Sequence, residues 1–175
     1  MFIPFDARAP TAIVVAVVLL AVTLARRQKL PVPARDLVPW RTLLVVLGLF
    51  VVVATAHAQG LGTLLAQAAG TGNGPGALLQ VAATGALASN GMNNLPAYLA
   101  LEPAVGSDPL RLAALLIGTG VGPLVTPWGS LATILWWQRC RTVMLDVPAG
   151  TIVRQGLLLA PLAVVAATLA LVAAS

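Results

Sequence analysis

The sequence predicts an all-α integral membrane protein: a single membrane domain over residues 1–175, with about four transmembrane helices, one of them interrupted, plus a re-entrant helical hairpin. Three observations predict it. The chain is 59% hydrophobic and 9% charged, with mean hydropathy +0.95, well outside the range of water-soluble domains. Its basic residues sit in short segments beside apolar runs: Arg26, Arg27, Lys29, Arg35 and Arg41 after the first, Arg139, Arg141 and Arg154 around later ones. Finally, two apolar stretches are broken, at Ser89-Asn-Gly-Met-Asn-Asn-Leu-Pro96 and within Gly122-Pro-Leu-Val-Thr-Pro-Trp-Gly-Ser-Leu-Ala-Thr-Ile-Leu-Trp136. Lipid cannot satisfy the backbone groups that such breaks release, so each break must be buried in protein or line a polar cavity.

The first span is predicted at about 9–25, with Pro10 suited to a helix start. It ends in Ala25-Arg-Arg-Gln-Lys29 without a small-x-small cleavage pattern, so a retained span fits better than a secretory signal. The second span, about 42–58, follows Trp40 and Arg41 at the interface. Each is about 17 residues, the lower limit for crossing roughly 30 Å of hydrocarbon. Residues 60–75 carry a weak apolar stripe at Leu61, Leu64, Leu65 and Ala68, which predicts a short interfacial helix ending at Gly70-Thr-Gly-Asn-Gly-Pro-Gly76. That glycine cluster lacks the strand and the Gly-Lys-Ser/Thr ending of a phosphate loop and reads as a linker. A third span, about 110–137, contains the second break and closes on Trp136, Trp137 and Arg139. A fourth covers about 152–174.

Charge decides how residues 76–101 are placed. A single crossing would leave six basic residues inside (the five of 26–41 and Arg111) and four outside (Arg8, Arg139, Arg141, Arg154). A hairpin that dips in and returns gives eight inside (the five, Arg139, Arg141, Arg154) against two outside (Arg8, Arg111). The second tally obeys the orientation rule far better. The arms 76–88 and 96–101 are each too short to span. Both termini then lie outside, with Glu102 and Asp108 in an outer loop containing two prolines.

Several function classes find no support. The basic residues form no face with interleaved aromatics, so no nucleic-acid partner is expected. The single cysteine, Cys140, excludes an internal disulfide and makes a poor soft-metal site by itself. No Ser-His-Asp set, carboxylate pair or metal-ligand cluster is present, so neither an enzyme, a metal centre nor a cofactor is expected. His57, the only histidine, reads as an interfacial residue. Gly118 and Gly122 form a small-xxx-small pair suited to helix packing. Trp128 suits a cavity wall and a packing filler equally.

The breaks carry the chemistry. Asn93 or Asn94 can cap the half-helix that follows the first break, with Pro96 in its first turn. In the second, Thr126 is a suitable cap and Pro127 a first helical residue. Each half-helix would then aim N–H groups and the positive end of its dipole at the membrane interior. Gly91, Gly122 and Gly129 permit close backbone approach. Ser89, Asn90, Asn93, Asn94, Thr126, Ser130 and Thr133 supply donors and acceptors suited to an oxyanion, a sodium ion or a neutral polyhydroxy solute. Polar groups within a membrane are costly and usually functional, so two clustered breaks predict transport of a small inorganic solute.

The motifs Gly122-Pro-x-x-Thr-Pro-x-Gly-Ser-Leu-Ala-Thr-x-Leu-Trp136 and Met92-Asn-Asn-x-Pro96 resemble the C-terminal half of the bacterial arsenite/antimonite efflux permeases. These belong to the ion-transporter superfamily, together with sodium/proton antiporters and dicarboxylate carriers. The resemblance covers about residues 40 to 172. It implies a multi-pass protein of the bacterial inner (plasma) membrane, one inverted-repeat half of a secondary transporter. The implied activity is extrusion of trivalent metalloid hydroxides, driven by the proton gradient or coupled to an ATPase subunit. By position, Asn93, Asn94, Pro96, Gly122, Pro123, Thr126, Pro127, Gly129, Ser130 and Thr133 would line or shape the site. Because the family is built from two inverted halves, a complementary N-terminal half or an oligomer is the expected partner. A sodium- or proton-coupled carrier of another small anion, such as a carboxylate, and a non-transporting truncated fragment are the alternatives.

Overall fold

The computed structural model describes residues 14–15, 17–19, 21–22 and 40–175, which fall into two units, Met1–Trp40 and Arg41–Ser175. In the first unit, Val14, Val15, Val17, Val18, Leu19, Ala21 and Val22 are helical and exposed. The remainder of the expected span 9–25 lies outside the described residues, as do Arg26, Arg27, Lys29 and Arg35.

Everything from Trp40 onward is helix and connection, with no strand among the described residues. Helix α1 (Trp40–Ala56) runs through a π-helical turn, His57–Leu61, into α2 (Gly62–Ala69). Gly60 kinks the path with φ +102°, a conformation that costs glycine little and other residues much. The short helix expected within 60–75 is α2. It does not stand apart from the second span but continues it, so Leu43–Ala69 is an apolar helical stretch of 27 residues. Helices α3 (Pro75–Met92), α4 (Asn94–Val105), α5 (Pro109–Val121), α6 (Leu131–Thr142) and α7 (Ala149–Ala174) follow.

Helices α3 and α5 form the centre of the second unit, and their small residues set its geometry. A Cβ at Gly118 would strike the Ala82 carbonyl, and one at Gly122 would strike Ala86. The contacts advance by four residues along both chains, so the two helices run parallel with their backbones touching. Leu78, Val81 and Ala82 of α3 are buried here with Ala114 and Leu115 of α5. Helix α4 lies against both and must travel the opposite way, because its two connections join the end of α3 to the start of α5. The starts of α3 and α5 are tied directly: Asn73 Nδ2 donates to Asp108 Oδ2 at 2.7 Å. The segment 75–105 thus leaves and returns to one end of the unit.

Its arms are longer than the sequence suggests. Helix α3 has 18 residues and α4 has 12, so α3 alone rises about 27 Å. The first arm extends through Asn90, which stays helical with its amide donating to the Ala86 carbonyl at 2.8 Å. The second extends because Glu102 and Pro103, expected in a loop, form the last turn of α4. Gly106, at φ +79°, ends it.

Helix α7 presents the stripe Gly156, Ala160, Val164 and Thr168, four residues apart, to the rest of the unit. Its other faces expose Leu157, Leu158, Leu159, Leu162 and Leu169, and α1 exposes Leu44, Val45, Leu47, Val51 and Val52. Apolar surface this continuous needs an apolar surrounding. Leu43–Ala69 and Ala149–Ala174 are both long and apolar enough to cross a membrane.

Candidate functional site

Helix α5 ends at Val121, and Gly122 lies beside Ala86, so the unwound segment that follows runs along the last turn of α3. The two breaks therefore meet, and a dense set of hydrogen bonds joins them. Asn90, in the last turn of α3, is the hub. Its Nδ2 donates to the Gly122 carbonyl at 2.8 Å as well as to Ala86. Its Oδ1 accepts from the Thr126 N–H at 2.9 Å and from the Thr126 hydroxyl at 3.2 Å. Its carbonyl accepts from Thr126 Oγ1 at 3.0 Å and from the Trp128 indole N–H at 2.9 Å. One turn later, Asn93 Nδ2 donates to the Trp128 carbonyl at 2.9 Å, and the Asn94 N–H donates to the Gly129 carbonyl at 2.9 Å. The unwound segment 122–130 thereby recovers partners that a helix would have given it.

Asn93 stands out in this junction. It is 1% exposed, yet its Oδ1 has no hydrogen-bond partner among the described residues. Its backbone lies at φ +74°, ψ +151°, a region nearly closed to side-chain-bearing residues and costing about 1–3 kcal/mol. No basic side chain hydrogen-bonds to any residue of the junction among the described residues. The buried atom that remains unpaired here is an acceptor.

The sequence itself matches a known group. The family described as Arsenical pump membrane protein matches residues 4–173. The chain belongs to this family. It is similar to the arsenical pump membrane protein of Yersinia enterocolitica, at 30% identity over 131 residues, which cover 69% of this chain and 30% of the relative. Its similarity to the arsenical pump membrane protein of Escherichia coli is 29% over 131 residues, with the same shares. The match therefore spans 30% of the length of these relatives. No solved structure matches the chain. Membership in a family of membrane proteins agrees with the two apolar helices long enough to cross a bilayer.

Within this arsenical pump family chain, most residues singled out from the sequence come together. Asn90, Asn93, Asn94, Gly122, Thr126 and Gly129 share the junction directly, and Pro96, Pro123 and Pro127 are buried beside it. Gly129 is required as glycine, since a Cβ would approach Thr126 Oγ1 to 2.9 Å and Pro123 to 3.0 Å. Ser89 is fully buried, but its hydroxyl turns back to the Gly85 carbonyl at 2.7 Å. Thr133 sits a turn inside α6 and makes no hydrogen bond to the junction.

The capping assignments need correction. Thr126 does not cap a helix and Pro127 does not open one: α6 starts at Leu131, and Ser130 caps it by accepting from the Ala132 N–H at 3.1 Å. Thr126 is drawn away by Asn90, which offers its hydroxyl and N–H partners across the junction. Asn93 occupies the cap position of α4, but its amide reaches Trp128 and leaves the helix start alone. Asn94 Oδ1 accepts only from its neighbour Leu95, at 3.0 Å. The start of α4 therefore has few N–H groups to offer an anion: those of Asn94 and Leu95 are used, and Pro96 has none.

Trp128 is 57% exposed and anchored by its indole N–H to the Asn90 carbonyl. Sequence reasoning missed Arg111. Though 6% exposed, it donates to the carbonyls of Gly70 at 2.7 Å, Gly72 at 2.6 Å and Val105 at 3.3 Å, clamping both loops at the end opposite the junction. An arginine opening an apolar run, after a glycine-rich linker with free carbonyls, was the available signal.

Proposed function

We propose that this chain supplies the substrate-handling half of an arsenite/antimonite efflux permease, a secondary transporter that moves uncharged trivalent metalloid hydroxides. The observation that carries the reading is the buried, unpaired Asn93 Oδ1 at the meeting point of two helix breaks. A buried acceptor without a donor costs about 1–3 kcal/mol. A solute bearing O–H groups and no charge removes that cost and needs no counter-ion. Asn93 is the primary contact, with Asn90, Asn94, Thr126 and Gly129 holding the junction around it. Ser89, Pro96, Gly122, Pro127 and Ser130 shape the site, and Thr133 faces its approach. Family membership supports the substrate class, and the chain acts as a carrier without catalytic chemistry.

Four spans with a re-entrant hairpin at 75–105 fit this role. The hairpin reading draws support from the return of that segment to its own starting end. The charge tally favours Arg139, Arg141 and Arg154 on the cytoplasmic side of the bacterial inner membrane. A complementary N-terminal half, or a second copy, would complete the carrier, and an ATPase subunit is a candidate energy source. The alternative cargo, a small carboxylate, brings only acceptors and so offers nothing to the unpaired Asn93 Oδ1, and the geometry favours it less.

Arsenite export from cells lacking their own pump tests the proposal, with the complementary half co-expressed. Thr126→Ala and Asn94→Ala are expected to abolish export while membrane insertion persists. Normal export by both would remove the junction from the mechanism. Uptake of a carboxylate in place of arsenite export would favour the other cargo.

A further inference from the structure

Helices α6 and α7 diverge from a fixed point. At one end, α7 is pressed onto the second break, since a Cβ at Gly156 would strike the Leu124 carbonyl. At the other, the Trp137 indole N–H donates to the Val147 carbonyl at 2.8 Å, and Arg141 lies over the Trp137 ring, 4.4 Å from its centre. The Cys140 carbonyl also accepts from the N–H groups of Val143 at 3.1 Å and Leu145 at 2.9 Å. The connection between the helices is thus pinned without closing the space between them. A cleft of about 410 Å³ remains, with Leu124 and Gly156 at its floor, Thr133 and Trp136 on one wall, Gln155 on the other and Val147 at its mouth.

Two polar side chains face this cleft, one from each wall. Neither the Thr133 hydroxyl nor the Gln155 amide makes a hydrogen bond among the described residues. Gln155 is exposed and neighbours Arg154 at the cytoplasmic end of α7, so the cleft opens there to water, and a Thr133 hydroxyl left dry further in would cost about 2–7 kcal/mol. Its floor is the backbone of the second break, one residue from Val125 and two from Thr126.

We propose that the α6–α7 cleft is the water-filled path by which solute reaches the junction from the cytoplasmic side, with Thr133 and Gln155 as its polar walls. This rests on the transport reading above for the identity of the solute, but not for the presence of water. Gln155, absent from the site as read from sequence, becomes a positioning residue for the approach. The family's metalloid hydroxides are small enough for the cleft and carry donors and acceptors for both walls.

Thiol accessibility tests the path. Thr133→Cys and Gln155→Cys are each placed in a Cys140→Ser background, with Leu162→Cys on the exposed face of α7 as a lipid-facing control. A charged, membrane-impermeant methanethiosulfonate is applied to inside-out and to right-side-out vesicles. Because the thiolate is the reacting species and a thiol in hydrocarbon is inert, both cleft cysteines should react at least about tenfold faster from the cytoplasmic face than Leu162→Cys does. A labelled cleft should also lose arsenite export. Absence of labelling from either face, in two variants that insert normally, would overturn the proposal, as would labelling only from the outer face or unchanged export after complete labelling. Failure of the unmodified carrier to export arsenite would instead count against the substrate, while the labelling pattern still reports whether the cleft is wet.

Discussion

Asn90 is spent on holding the junction together, whereas Asn93 keeps an unpaired acceptor and is the proposed solute contact. Every hydrogen-bonding atom of the Asn90 side chain is used across the two breaks. Asn90→Ala removes several bonds and strands their partners, so it should destabilise the detergent-solubilised protein by about 2–4 kcal/mol, read as a lowered melting temperature. Asn93 behaves differently. Asn93→Gly loses one hydrogen bond but relieves a backbone conformation that favours glycine, so its stability should stay within about 1 kcal/mol of wild type. Stability that falls as far as in Asn90→Ala would show that Asn93 is mainly a structural strut. The sequence made both residues visible as intramembrane amides. It could not assign them, because which asparagine is spent on the partner break depends on the parallel register of α3 and α5.

At the level of elements, the close approach of α3, α5 and α7 rests on single glycines. Gly118→Ala places a Cβ against the Ala82 backbone and Gly156→Ala against the Leu124 backbone. Each should cost at least about 1–3 kcal/mol of stability, because neither neighbour is a side chain that can turn aside. Gly120→Ala, on the same helix with nothing within 4 Å of the new Cβ, should be neutral or stabilising by up to about 1 kcal/mol. Equal effects at Gly118 and Gly120 would contradict the packing. The small-xxx-small pair was legible in the sequence, but its partner, Ala82 and Ala86, was not, since many apolar stripes offer alanines. At the head of α5, Asp108 accepts from Arg111 and Leu110 N–H groups and from Asn73. The Arg111 bond, foremost, and the others hold its carboxyl below the usual range against an opposing desolvation. A carboxyl with a lowered folded pKa stabilises fully above its unfolded value, near pH 4, and less as pH falls through the folded value. Thermal stability should therefore drop on acidification below about pH 4 in the wild type and change less in Asp108→Asn.

For the whole molecule, hydropathy and charge were enough to read the class, the later apolar segments and the presence of two breaks. They were not enough for the lengths of the elements. Helix α3 runs through Asn90 to Met92, and α6 starts at Leu131 because Asn90 captures Thr126. The second outcome comes from a contact between residues 36 apart in sequence. Local propensity favoured Thr126 as a cap, and tertiary hydrogen bonding overrode it. The motif at 122–136 therefore marked residues that meet at the junction while suggesting the wrong local geometry.

The central claim, that the junction binds the exported solute through Asn93, is tested most directly by arsenite export in cells lacking their own pump. Wild-type protein and Asn93→Gly are compared at equal membrane abundance, each with the complementary half. The account predicts export by the wild type and none by Asn93→Gly, despite normal stability and insertion. Export by Asn93→Gly at the wild-type rate would contradict it.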